Sequence, residues 1–150
     1  MNEHHERISV PFRPGQMFDL AMDVRSYPRF IPWVEALRVL TDEDDGVIRH
    51  LSADMVVRYS VFRESFRSQV TADCQAHTID VRYVQGPLKN LTNHWRFEPH
   101  PEGCMVDFRL TFAFRNRLMQ AAANRFVEHG FKRLAGAFIK EAHRRYALQK

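Results

Sequence analysis

Few side chains in this sequence are both reactive and placed where chemistry could use them. Glu64, in the stretch VFRESFRSQV, shares an alternating face with Phe62 and Phe66, so one strand register would aim its carboxyl among aromatic rings. A slip of one residue turns it to solvent, and the exposed, structural reading is preferred to a catalytic one. Asn93, between Leu91 and Trp95 on an inward face, could bond a ligand carbonyl or satisfy a backbone group. Tyr83 is the remaining side chain that could do acid–base work there. The eight histidines form no ligand set: His4 and His5 lie at the N-terminal end, His50, His77, His94 and His100 fall on outward faces or in turns, and His129 and His143 are too far apart on one helix. There is no phosphate-binding glycine loop, HExxH, GxSxG or CxxC, so phosphate-handling, zinc-protease and hydrolase chemistry have no support. Cys74 and Cys104 read as buried free thiols.

The elements that would position these groups are legible from periodicity. HERISVPF alternates Ile8, Val10 and Phe12 as a first strand, and RPGQMFDLAMDVRSY places Met17, Leu20, Ala21 and Val24 at helical spacing after Pro14 and Gly15. The residues from Val34 to Asp73 predict three strands, with the acidic run 42–46 as a solvated hairpin turn and a tighter turn near Tyr59 and Ser60. HTIDVRYVQGP is another strand, broken at Gly86-Pro87. KNLTNHWRFEP and CMVDFRLTFAF alternate most clearly, with Leu91, Asn93, Trp95 and Phe97 on one face of the first and Phe108, Phe112 and Phe114 on one face of the second. From Asn116, the expected N-cap, the period changes to 3.6 and continues to Tyr146, a helix about 45 Å long. The expected order is one strand, short helices, six antiparallel strands and a long C-terminal helix covering one sheet face, an α+β arrangement in a single domain, 1–150.

Charge is unevenly spread. The net charge is +4, but eight Lys or Arg against two Glu between Asn116 and Lys150 give that segment +6 and leave −2 for the rest. No run approaches the ~18 apolar residues of a membrane span, and MNEHHERISV resembles neither a signal nor a transit peptide, so a mature cytoplasmic protein is expected. The basic helix face reads either as solvated or as a docking face for an anionic surface.

What the inward faces offer is aromatic surface. Trp95, Phe97, Phe108, Phe112 and Phe114 would face Phe126, Phe131 and Phe138 of the long helix, each ring burying about 150–250 Å². Gly130 and Gly136 interrupt that helix at about 1 kcal/mol each, which suits a helix that must bend or leave room beside large rings. A cleft lined by aromatics with few polar groups fits a flat, oily ligand. Around Pro28 and Pro32, which permit only short helical turns, Tyr27, Phe30, Ile31 and Trp33 either gate such a cleft or plug the end of the core.

MFDLAMDVRSYPRFIPWV, VQGPLKNLTNHWRF and CMVDFRLTFAF, followed by a helix with Ala137-Phe138 and Tyr146, resemble the coenzyme Q-binding proteins of the START-like (polyketide cyclase/lipid transport) superfamily, whose bacterial branch includes ribosome association toxins. The family's aromatic–proline motif falls on Tyr27, Pro28, Phe30, Pro32 and Trp33, and its strand–turn motif on Gly86, Pro87, Leu88, Lys89 and Leu91; Val34 and Leu88 are mild departures. The resemblance implies a helix-grip fold, a curved sheet of about six to seven strands around a long C-terminal helix. It implies no catalytic group, metal or required cofactor, and a ligand that is ubiquinone or a related polyprenyl lipid, carried in support of respiratory electron transport. The expected ligand-binding residues are Phe18, Tyr27, Phe30, Trp33, Phe62, Phe66, Leu91, Asn93, Trp95, Phe97, Phe112, Phe114, Phe126, Phe131 and Phe138. Expected partners are a hydrophobic small molecule and, peripherally, the inner face of the cytoplasmic membrane, touched by the proline-flanked segment; DNA is not one. Association with the ribosome is the alternative, and an aromatase or cyclase activity the third.

Overall fold

The computed structural model describes the backbone of residues 2–59 and 61–146, with the side chains of residues 2, 128, 129 and 131 outside the description. Seven strands, β1 (Asn2–Val10), β2 (Val34–Asp44), β3 (Ile48–Tyr59), β4 (Phe62–Asp73), β5 (Thr78–Gln85), β6 (Leu88–His100) and β7 (Gly103–Phe114), form one antiparallel sheet in the order β1-β7-β6-β5-β4-β3-β2. Between β1 and β2 lie α1 (Pro14–Met22), a 3-10 turn (Val24–Ser26) and α2 (Tyr27–Phe30). The last element is α3 (Arg117–Tyr146), and the expected helix-grip architecture is what the chain adopts.

Local chemistry explains the boundaries. Pro14 begins α1, where a missing N–H is no loss, and Gln16 Oε1 accepts from the Arg13 N–H at 3.0 Å. Asn116 caps α3 by accepting from the N–H groups of Leu118 (2.8 Å) and Met119 (3.2 Å). The β2–β3 turn is closed by Asp45, whose carboxylate accepts from the Val47 and Ile48 N–H groups. At Gly86 φ is +146°, and a Cβ there would stand 2.8 Å from the Ser65 carbonyl oxygen, so glycine is the residue that turns β5 into β6.

The antiparallel register gives the molecule two unlike ends. Val10 pairs with Cys104 and Ile48 with Asp73, so the turns 45–47, 74–77 and 101–102 lie at one end, beside α1. Val34 pairs with Val57, Tyr59 with Phe62 and Leu88 with Phe114, so the β3–β4, β5–β6 and β7–α3 connections lie at the other, beside Trp33. At the α1 end the space between sheet and helices is filled: Leu20, Leu51, Ala72, Phe97, Cys104 and Ala142 are all at most 2% exposed. The close of α3 is tied down there, with Tyr146 donating its hydroxyl to the Gln16 carbonyl at 3.0 Å and ringing against Phe12.

Candidate functional site

At the other end the space is not filled. Where the first turns of α3 pass over β3–β7, a cavity of about 300 Å³ remains, walled by aliphatic side chains of the strands and by Phe62, Phe66, Phe112 and Phe114. Rings meet edge to face around it: Phe66 on Phe114 at 6.4 Å, and Phe112 on Phe114 at 6.2 Å. Phe126 of α3 closes the outer side, its centroid 4.9 Å from Trp33 and 4.7 Å from Tyr59. Besides Phe126, the helix lines the cavity with Met119, Val127 and the small Ala122 and Ala123, whereas farther along Leu134, Phe138 and Ile139 leave only a narrow crevice. Gly130 serves the same region: a Cβ there would lie 3.3 Å from the Phe126 ring, whereas one at Gly136 would meet nothing within 4 Å.

The polar groups on this wall are few. Asn93 is committed on both sides, donating from Nδ2 to the Arg109 carbonyl (2.8 Å) and accepting the Trp95 indole N–H on Oδ1. The Tyr83 hydroxyl accepts from the Leu88 N–H at 3.1 Å and keeps its own proton to donate. Ser68 and Glu64 line the cavity and make no hydrogen bond or ion pair among the described residues. The inward Glu64 corrects the outward, structural reading of its strand. Phe62, Glu64 and Phe66 stand opposite Tyr59, Val57 and Met55, all six on the cavity wall, so the register is the one that aims the carboxyl inward.

Of the residues expected to form a site, Trp33, Phe62, Phe66, Leu91, Asn93, Phe112, Phe114 and Phe126 line the cavity. The structure places the others elsewhere. Phe18 packs edge-on against Phe97 at 6.3 Å, and Trp95 and Phe97 surround a crevice of only about 40 Å³ together with Phe138. Tyr27 and Phe30 ring against Phe138 at 5.6 and 5.2 Å, and the Tyr27 hydroxyl donates to the Ala21 carbonyl. Burial and the charge of Asp23 push the Tyr27 phenol well above its ordinary pKa. The proline-flanked segment is thus divided, Tyr27 and Phe30 plugging the core while Trp33 alone reaches the cavity. The Phe131 side chain lies outside the described residues.

The sequence reading missed Met55, Val57, Ser68, Val81, Leu88 and Leu110 as lining residues. Their alternation was readable, but ordinary core residues alternate in the same way. Cys104 is fully buried, and burial pushes its thiol up to about 11, which makes it unreactive. Among the described residues no three His, Cys, Asp or Glu side chains gather as a metal site, and no helix is long and apolar enough to cross a membrane.

Comparison with known proteins adds to this geometry. The family described as polyketide cyclase / dehydrase and lipid transport matches residues 10–139. The chain is 30% identical to the ribosome association toxin RatA of Escherichia coli K12 over 93% of its own length and 86% of that protein's. It is 31% identical to the mitochondrial coenzyme Q-binding protein COQ10 homolog B of Xenopus laevis over 98% of this chain and 60% of the relative. The solution structure of the 18 kDa protein CC1736 from Caulobacter crescentus superposes with a TM-score of 0.83, at 33% identity, covering 98% of this chain and 99% of that one.

Proposed function

The chain belongs to the polyketide cyclase / dehydrase and lipid transport family, and from that premise we propose that its cavity is a non-enzymatic binding site for a polyprenyl quinone or a similar lipid. The carrying observation is the apolar cavity itself, about 300 Å³ under the alanine-lined turns of α3, in a fold whose other end is densely packed. That volume stands at the lower end of ligand pockets, enough for a quinone head and the first isoprene unit, with a longer tail protruding past Trp33 and Tyr59. Burial from water stabilises each isoprene unit by up to about 4 kcal/mol, but a tail leaving a bilayer gains almost none of this. Selection among lipids therefore falls on the head, and the Tyr83 and Ser68 hydroxyls are donors on the wall that a quinone carbonyl could accept from.

The similarity to a coenzyme Q-binding protein supports this reading. Native mass spectrometry and solvent extraction of protein purified from its own host test it, with the extract scanned for quinone absorbance and its change on reduction. A stoichiometric polyprenyl quinone is the expected result. A cavity that is empty in the host and unresponsive to added quinone, with no quenching of tryptophan emission, would sink the proposal.

One observation favours a second reading. Arg117, Arg125, Lys132, Arg133 and Lys140 are exposed along α3 and form no ion pair among the described residues, a cationic stripe that suits an RNA-rich partner. The similarity to a ribosome association toxin points the same way. Co-sedimentation with ribosomal subunits that weakens steeply with salt would support it.

A further inference from the structure

The cavity end of the molecule carries an unusual surface. Val61, at the β3–β4 turn, is 89% exposed, and Leu118, in the first turn of α3, is 75% exposed. Val84 and Tyr59 are exposed at the same end, near the ends of their strands; among the described residues the remaining exposed large hydrophobic is Leu40, on edge strand β2. Large apolar side chains fully presented to water at two separate connections, both beside the cavity, form an apolar rim that the packing of the fold does not require.

Cations accompany that rim. Arg58 and Lys89 flank the β3–β4 and β5–β6 connections, and Arg115 and Arg117 flank the start of α3; all four are exposed and make no ion pair among the described residues. Of the carboxylates at this end whose side chains are described, Glu35 is held by Arg63 at 2.6 Å and Glu64 points into the cavity, leaving exposed Glu3. The acidic turn at 42–45 lies at the opposite end.

We propose that this end docks on an anionic lipid bilayer, with Val61 and Leu118 inserted below the headgroups and Arg58, Lys89, Arg115 and Arg117 among the lipid phosphates. An anionic polynucleotide would satisfy the cations but leave both apolar side chains in water, so the bilayer fits both halves of the surface. Trp33 and Tyr59, which line the cavity at this end, then lie at the interface level where their rings are favoured. The cavity opens toward the membrane, so that an apolar ligand passes without crossing water. The surface stands independently of which ligand the cavity holds.

The test is vesicle co-sedimentation of the full chain with phosphatidylcholine alone and with phosphatidylcholine containing phosphatidylglycerol, beside a parallel binding assay with ribosomal RNA. Wild type is expected to bind the anionic vesicles, with salt weakening the binding. Val61→Asp and Leu118→Asp should each weaken it about tenfold or more, while Leu40→Asp should leave it unchanged. Circular dichroism and thermal melts verify that these surface variants remain folded. Vesicle binding by Val61→Asp and Leu118→Asp equal to wild type overturns the proposal, and so does a wild type that ignores the vesicles, whether or not it binds the RNA.

Discussion

Glu141 holds the Arg145 guanidinium at 2.9 Å, and that grip aims it at the start of the proline-flanked segment. Arg145 Nη1 stands 2.9 Å from the Asp23 carboxylate, and Nη2 donates to the hydroxyl of Ser26, itself 1% exposed, at 2.9 Å. Glu141 also takes both forks of Arg144 at 2.7 Å. One buried carboxylate thus anchors the last turn of α3 to the segment that leads to Trp33.

Stability should fall with acid through this anchor. The Arg144 and Arg145 hydrogen bonds hold the Glu141 carboxyl down at about 2, against an ordinary 4.5, with burial opposing them. A pKa depressed in the folded state gives stabilisation that is complete above the unfolded value and is lost as pH drops from about 4.5 to 2. After discounting for the exposure of Arg144, this amounts to on the order of 2 kcal/mol. Urea melts of wild type and Glu141→Gln should differ by about that much at neutral pH and converge toward pH 2. Parallel curves across the range would refute the assignment.

The two helical glycines should respond oppositely to alanine. Gly136→Ala is expected to stabilise by about 1 kcal/mol, since nothing obstructs the new methyl and helix propensity improves. Gly130→Ala should gain less or lose, because its methyl meets the Phe126 ring at 3.3 Å and pushes it toward the cavity. Equal gains in thermal melts would show that the ring moves freely.

Removing the cavity carboxyl separates two roles for Glu64. Glu64→Leu should raise stability by about 1 kcal/mol, since an unpartnered polar group leaves an apolar wall, and should tighten binding of a purely apolar fluorescent probe. If the carboxyl recognises the ligand's head, quinone affinity should fall in the same variant while probe affinity rises. A variant in which both affinities move together would leave Glu64 no part in recognition.

Gly86→Ala is expected to cost about 2 kcal/mol in chemical denaturation. The position needs φ of +146°, and its Cβ would press on the Ser65 carbonyl at 2.8 Å. The same strain should disturb the Leu88–Tyr83 hydrogen bond and thereby the cavity wall. A variant as stable as wild type would mean that the β5–β6 turn has another conformation.

Periodicity by itself determined the strands, the long helix and the inward faces of the strongly alternating β6 and β7, because alternation and the 3.6-residue repeat follow from backbone geometry alone. Capping by Asn116 and turning at Gly86 were equally legible, since each rests on one residue's own hydrogen bonding or sterics. The division of the aromatic faces was not. Leu91 and Phe97 share a face of β6, and Phe108 and Phe112 a face of β7, yet Leu91 and Phe112 line the cavity while Phe97 belongs to the dry end. What separates them is position along the strand relative to α1 and the bulky half of α3, which cover one end of the sheet and leave the other under Ala122 and Ala123. Long-range packing alone decides which rings touch each other and which touch empty space. It decided Glu64 in the same way, by choosing one of two registers that its neighbours in sequence permitted equally.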